Sequence, residues 1–131
     1  MLEVAKRFVQ EEEGQTATEY MLIVSVIVVA VVAAAYVFIE PFQKGDILVT
    51  NDPYKTAGQL LDVTVLCPVF RNGEIIAFFG STIHHTDVGG YGIGAGARDV
   101  FEEGLWIPIC RLMIGGERNH DVWRFILSNV R

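Results

Sequence analysis

The feature that most constrains this chain is the stretch Tyr20–Ile39, YMLIVSVIVVAVVAAAYVFI, which holds no charge, proline or glycine. A helix of that length rises about 30 Å, the thickness of a bilayer's hydrocarbon core. A soluble domain of 131 residues has little material with which to wrap such a helix on every side. The run therefore predicts a membrane-inserted helix. Lys6 and Arg7 precede it, so the positive-inside rule puts the N-terminus in the cytoplasm and residues 40–131 outside it. A cleaved secretory signal, with Ala33-Ala34-Ala35 as its small-residue site, is the competing reading. Against it, the apolar run continues past those alanines and the leader is long and acidic.

The rest of the chain has a different character. Pro41 closes the helical pattern, and 11 of the 13 glycines lie beyond Gly45. The expected fold class is α+β: one long N-terminal transmembrane-type helix, then a small β-hairpin-containing fragment with a Gly-rich loop and a C-terminal helix. The expected divisions are a leader at 1–14, an apolar helix at 15–40, a junction at 41–45 and a module at 46–131. Ten Lys and Arg against 16 Asp and Glu give a net charge of -6, which excludes an electrostatic nucleic-acid binder. Two cysteines, Cys67 and Cys110, are too few for a disulfide framework and are expected as buried thiols rather than as a pair.

Two apolar runs, 63–70 and 74–83, flank Arg71-Asn72-Gly73 and predict a hairpin. A three-residue loop ending in a left-handed Gly73 makes paired positions sum to 144. Asp62 and His84 then become diagonal neighbours on one face. Val63, Val65, Val69, Ile75, Ala77, Phe79 and Ile83 form the other face, the expected core, toward which His85 points. A two-residue Asn-Gly turn would move the sum to 145 and separate Asp62 from His84. After the hairpin, His84-His85-Thr86-Asp87-Val88-Gly89-Gly90 leads into Gly92, Gly94 and Gly96. Adjacent histidines and an aspartate on a glycine loop suit metal binding or acid–base work, so His85, Asp87, Gly89 and Gly90 are site-loop candidates. The glycine run lacks the flanking strand and helix of a dinucleotide fingerprint and the Gly-Lys-Ser/Thr of a phosphate loop. Asn119 is placed to cap a final helix over 120–130, and the chain stops within a turn of its last apolar residue, which reads as truncation.

The order of residues before the apolar run, Glu13-Gly14-Gln15-Thr16-Ala17-Thr18-Glu19-Tyr20, resembles the start of the Flp (type IVb) prepilins over about residues 8–45. That resemblance implies cleavage by a prepilin peptidase between Gly14 and Gln15. It also implies assembly with like pilin subunits, in which Glu19 neutralises the new terminal amine of a neighbour. A carboxylate at the edge of a bilayer helix is costly unless it is paired. Unlike those small pilins, this chain carries about 87 residues after the helix.

Beyond the junction, several motifs occur in order. They are Thr50-Asn51-Asp52-Pro53-Tyr54, Leu61-Asp62-Val63-Thr64, Pro68-Val69-Phe70, His84-His85-Thr86-Asp87-Val88-Gly89-Gly90, Glu102-Glu103-Gly104-Leu105-Trp106, Asn119-His120-Asp121-Val122-Trp123 and Asn129-Val130-Arg131. Together they resemble the hydantoinase B/oxoprolinase family over about residues 44–131. The resemblance implies ATP-linked hydrolysis of a cyclic amide C–N bond, with ATP handled by a hydantoinase A-type partner subunit, and a cytoplasmic site of action. In the metal-using relatives a His-x-x-Asp motif and the first His of a later pair hold a divalent metal ion. Here these positions carry Gln59, Asp62 and His84, and Gln59 departs from the pattern. Three readings follow: part of a hydantoinase B-type enzyme, incomplete and inactive alone; a pilin-like subunit with an exported globular part; or a fusion without function as a unit.

Overall fold

The structure, a computed structural model, describes residues 12–38, 42–92 and 96–131. Helix α1 (Glu12–Phe38) precedes strands β1 (Ile47–Thr50), β2 (Asp62–Arg71) and β3 (Glu74–His84). The short helix α2 (Val100–Glu103) follows, then β4 (Cys110–Ile114), β5 (Glu117–Arg118) and helix α3 (His120–Leu127). The five strands form one antiparallel sheet in the order β3-β2-β1-β4-β5. The expected hairpin is β2–β3, and the sheet extends beyond it because β1 pairs on both edges, with β2 and with β4.

The hairpin corrects the predicted register. Arg71 pairs with Glu74 across a two-residue turn, and Asn72 (φ 54°) and Gly73 (φ 87°) are both left-handed. That is the geometry matching the right-handed twist of the flanking strands. By itself this turn gives a sum of 145, the register that would part Asp62 from His84. A bulge between Val69 and Phe70 shifts the pairing once more. Beyond it, Val69 faces Ala77 and the ladder continues to a direct Asp62–His84 pair, since a bulge sets two residues of one strand against one of the other.

The expected transmembrane-type helix and the membrane location drawn from it are overturned. Among the described residues no helix is long and apolar enough to cross a membrane. Helix α1 instead lies against β2 and β3 of the sheet. Its role here is packing. Ile27 (8% exposed) and Val31 (1%), one turn apart, are buried with Leu48 and Leu66 of the sheet. Val28, Val32, Phe42, Phe78 and Ile109 close around them. Spacing of four residues puts Ile27 and Val31 on one stripe, and each fully buried aliphatic side chain contributes roughly 1.5–3 kcal/mol.

Covering this face changes which side of the hairpin is the core. Thr64, Leu66 and Pro68, on the α1 side, are buried. Of the set expected as core, Val69, Phe79 and Ile83 are exposed. The opposite face is covered only toward β1 and β4. There α3 docks through Trp123 Nε1, which donates to the Leu112 carbonyl at 3.1 Å, and Asn119 Nδ2, which donates to the Arg111 carbonyl at 3.0 Å. Helix α3 ends at Leu127, short of the expected 130, with Ser128 as C-cap. Cys67 and Cys110 are free and half-buried, and burial pushes the Cys110 thiol up from its ordinary value.

The docking of α1 is testable at Gly80 of β3. A Cβ there would lie 2.6 Å from Val28 Cγ2. Gly80→Val is expected to destabilise the chain by about 1–3 kcal/mol through overpacking, seen as a lower urea midpoint with an unchanged slope.

Candidate functional site

The candidate site is built where the loop before β2 meets the end of β3. Asn51, fully buried at 0% exposure, follows β1 and uses its whole carboxamide. Nδ2 donates to the Leu60 carbonyl (2.7 Å) and the Leu105 carbonyl (2.8 Å), and Oδ1 accepts from the Ile107 amide (2.6 Å). Glu103 Oε2 accepts the Leu60 amide at 2.8 Å, so Leu60 is held at both its backbone groups. Leu60 and Leu61 are then buried with Val88, and the flanking Gln59 and Asp62 are presented together, the Asp62 amide donating to the Gln59 carbonyl. Sequence reasoning assigned no site role to Asn51 or Glu103. Asn51 stands in the Thr50-Asn51-Asp52-Pro53-Tyr54 stretch, where Asn-Asp-Pro favours a turn, and nothing local distinguishes a turn asparagine from a buried strut.

On this platform Asp62 and His84 meet. His84 Nδ1 lies 2.9 Å from Asp62 Oδ1, and Gln59 Nε2 donates to Asp62 Oδ2 at 3.0 Å. Gln59 Nε2 is also 3.3 Å from His84 Nδ1. An ionised carboxylate only accepts, so Nδ1 carries the proton it shares with Asp62, and the Gln59–His84 approach is a contact between two donors. That tautomer leaves Nε2 as the basic nitrogen of a ring whose side chain is 43% exposed. A carboxylate fixing an imidazole in this way is an acid–base arrangement.

The other loop candidates lie elsewhere. His85 faces the opposite side of the sheet, in the wall of an apolar cavity of about 340 Å³ between Val49, Val63 and Val65 and the α3 residues Trp123 and Ile126. The two histidines are therefore not a chelating pair. Asp87 ties Gly89 to Arg131: Oδ1 accepts from the Gly89 amide (2.7 Å) and Oδ2 from the Arg131 amide (2.8 Å). Arg131 in turn donates to the Gly90 carbonyl at 2.7 Å. Gly89 (φ 87°) could carry no side chain, since a Cβ would lie 1.9 Å from the Asn129 carbonyl oxygen, and Gly90 abuts Glu103 just as closely. These glycines serve backbone packing. Gly94 and residues 1–11, which include most of the expected leader, lie outside the described residues. Gly14 and Gln15 fall within the α1 backbone, and Glu19 is exposed.

The donor chemistry does not fit a metal. Asp62 and His84 supply one carboxylate and one imidazole, but the third group turns an amide N–H toward them, which donates and does not ligate. Among the described residues no three His, Cys, Asp or Glu side chains are grouped to hold an ion.

Residues 9–131 match the hydantoinase B/oxoprolinase family. The chain belongs to this family. It is 34% identical over 97 residues to the beta subunit of the Pseudomonas jessenii caprolactamase, covering 72% of this chain and 17% of that one. It is 33% identical over 96 residues to the B-type subunit of a putative D-/L-hydantoinase of a Pseudomonas species, covering 70% and 16%. The crystal structure of the ATP-dependent caprolactamase from Pseudomonas jessenii superposes with a TM-score of 0.69 at 33% identity, over 81% of this chain and 19% of that one. The chain thus corresponds to part of a hydantoinase B-type subunit and spans about a sixth of the length of these relatives. The family match runs through the segment read as a pilin leader and helix, and these comparisons give the pilin resemblance no support.

Two outcomes are expected here. Asn51→Ala leaves two carbonyls and an amide unpaired in the interior, and should destabilise the chain by at least about 3 kcal/mol at 1–3 kcal/mol per buried group, read from chemical denaturation. Asp87 is held below the usual carboxylate range, first by the Gly89 amide and then by the Arg131 amide. Its native pKa lies below the unfolded one, so its contribution is complete above the ordinary aspartate value of about 3.9 and lost as pH falls through the native value. Amide NMR of Arg131 should therefore show release only below about pH 4, and Asp87→Asn should abolish that step; a transition near neutral pH would contradict the assignment.

Proposed function

We propose that this chain supplies the Asp62–His84 pair of a hydantoinase B-type subunit that opens cyclic amides with ATP handled by an A-type partner subunit. The observation that carries the reading is the 2.9 Å Asp62–His84 contact, formed on a loop that Asn51 and Glu103 hold rigid. The relatives support the substrate class: one belongs to a caprolactamase and another to a putative hydantoinase, and both names describe the opening of a ring amide.

In this reading His84 Nε2 takes a proton from water as its oxygen attacks the ring carbonyl. The C–N bond breaks, and the ring nitrogen leaves with the proton His84 received. Asp62 keeps Nδ1 protonated and stabilises the imidazolium in between, and general acid–base transfer of this kind contributes typically 10²–10⁴-fold. The partner's ATP activates the otherwise unreactive amide. The chain spans about a sixth of its relatives, and the purified chain alone is expected to show no turnover on hydantoin, 5-oxoproline or caprolactam, with or without ATP.

The test is a chimera in which residues 42–131 replace the matching segment of the caprolactamase beta subunit, assayed with its partner. ATP-dependent ring opening is expected to survive, and His84→Ala in the chimera to lower kcat by roughly 100-fold or more with the subunits still associated. An active chimera indifferent to His84→Ala and Asp62→Asn would refute the assigned roles. Turnover by the purified chain without a partner would refute the division of labour.

A further inference from the structure

We propose that Gln59 stands in the place of a cation: the Gln59–Asp62–His84 cluster has the spacing of a metal site but is closed by hydrogen bonds instead, and the single change Gln59→His opens it to a transition metal. The three contacts between the head groups are 2.9, 3.0 and 3.3 Å. In a tetrahedral zinc site with bonds of about 2.0–2.1 Å, neighbouring ligand atoms lie roughly 3.3 Å apart. The side chains therefore already converge to nearly the required distances, slightly contracted. What fails is the chemistry. Gln59 offers Asp62 a proton where a cation would offer a charge, and the carboxamide satisfies the oxygen that a metal would need.

The backbone explains why one residue decides the outcome. Gln59 and Asp62 are joined by a turn, with the Asp62 amide on the Gln59 carbonyl, and the ladder sets Asp62 opposite His84. None of that geometry depends on the side chain at 59. In both glutamine and histidine Nε2 lies three bonds beyond Cβ, so an imidazole at 59 reaches the same point with a lone pair in place of an N–H. Two imidazoles and a carboxylate form a competent set for Zn²⁺ or Co²⁺. His85 is on the other face and competes for nothing.

The experiment uses the full chain with Zn²⁺ by calorimetry and Co²⁺ by its visible ligand-field absorption, so its result does not depend on catalysis. The native chain is expected to show no ion whose binding is sensitive to Asp62→Asn. Gln59→His should bind one ion per chain at least about 100-fold more tightly than the native chain, with tetrahedral-type Co²⁺ absorption, and Gln59→His/Asp62→Asn should lose it. Gln59→Glu, of the same length, provides a second route to a ligating atom and should also gain the ion if the histidine variant does not fold. A native chain that binds one ion through Asp62 would overturn the proposal. So would folded Gln59→His and Gln59→Glu variants that gain no ion.

Discussion

The carboxamide of Asn51 is the interaction on which the rest of the arrangement depends. Its three bonds reach two segments that follow it in the chain, the loop at Leu60 and the Leu105–Ile107 stretch leading into β4. The strand pairings of β1 with β2 and with β4 begin where those bonds end. Thr50, just before it, adds a hydroxyl bond to the Ile107 carbonyl at 2.9 Å. A buried polar group is tolerated only when it is satisfied. Asn51 is satisfied only if both segments are in place at once, which makes it a condition for the sheet and the site together.

The sheet it organises has unequal faces. One is covered by α1 through Ile27 and Val31; the other is covered toward β1 and β4 by α3 and left open over the hairpin, where Phe79 and Ile83 are exposed. Hydropathy alone could not foresee this. An average over Tyr20–Ile39 counts apolar residues without asking what lies opposite them, and a helix with only one stripe on a sheet scores the same as one bathed in lipid. The same limit misled the choice of core face on the hairpin. Val69, Phe79 and Ile83 alternate as core residues do and are exposed, because alternation says that two faces differ and not which of them is covered.

The hairpin and its strands were legible because turn chemistry is local: Asn72-Gly73 between two apolar runs admits few structures. That Asp62 and His84 share a face was also legible, though the route to it was wrong in two ways that cancel. The loop has two residues rather than three, and the bulge at Val69/Phe70 restores the parity that the shorter loop removes. No residue type in Glu74-Ile75-Ile76 announces that bulge. Illegible for a different reason were Asn51 and Glu103, whose roles depend on partners up to 56 positions away and leave no periodic trace. The loop residues Asp87, Gly89 and Gly90 carried a recognisable pattern, and here Asp87 holds Arg131 while the glycines allow a close backbone approach.

The candidate site separates two properties that a motif joins, where the side chains are and what they can do. Position is set by the backbone, by the turn between Gln59 and Asp62 and by the ladder to His84, and it persists whichever side chain stands at 59. Capability is set by the atom each group presents. With an amide N–H at the third corner, the carboxylate is neutralised by donors rather than by an ion, and the imidazole is held as a base with a free Nε2 instead of being consumed as a ligand. Were Nδ1 to ligate a metal, the ring proton would sit on Nε2, which would then have no lone pair with which to take one. The residue at 59 thus chooses between a ligand and a base at 84 without moving either histidine or aspartate, and here the choice falls on the base.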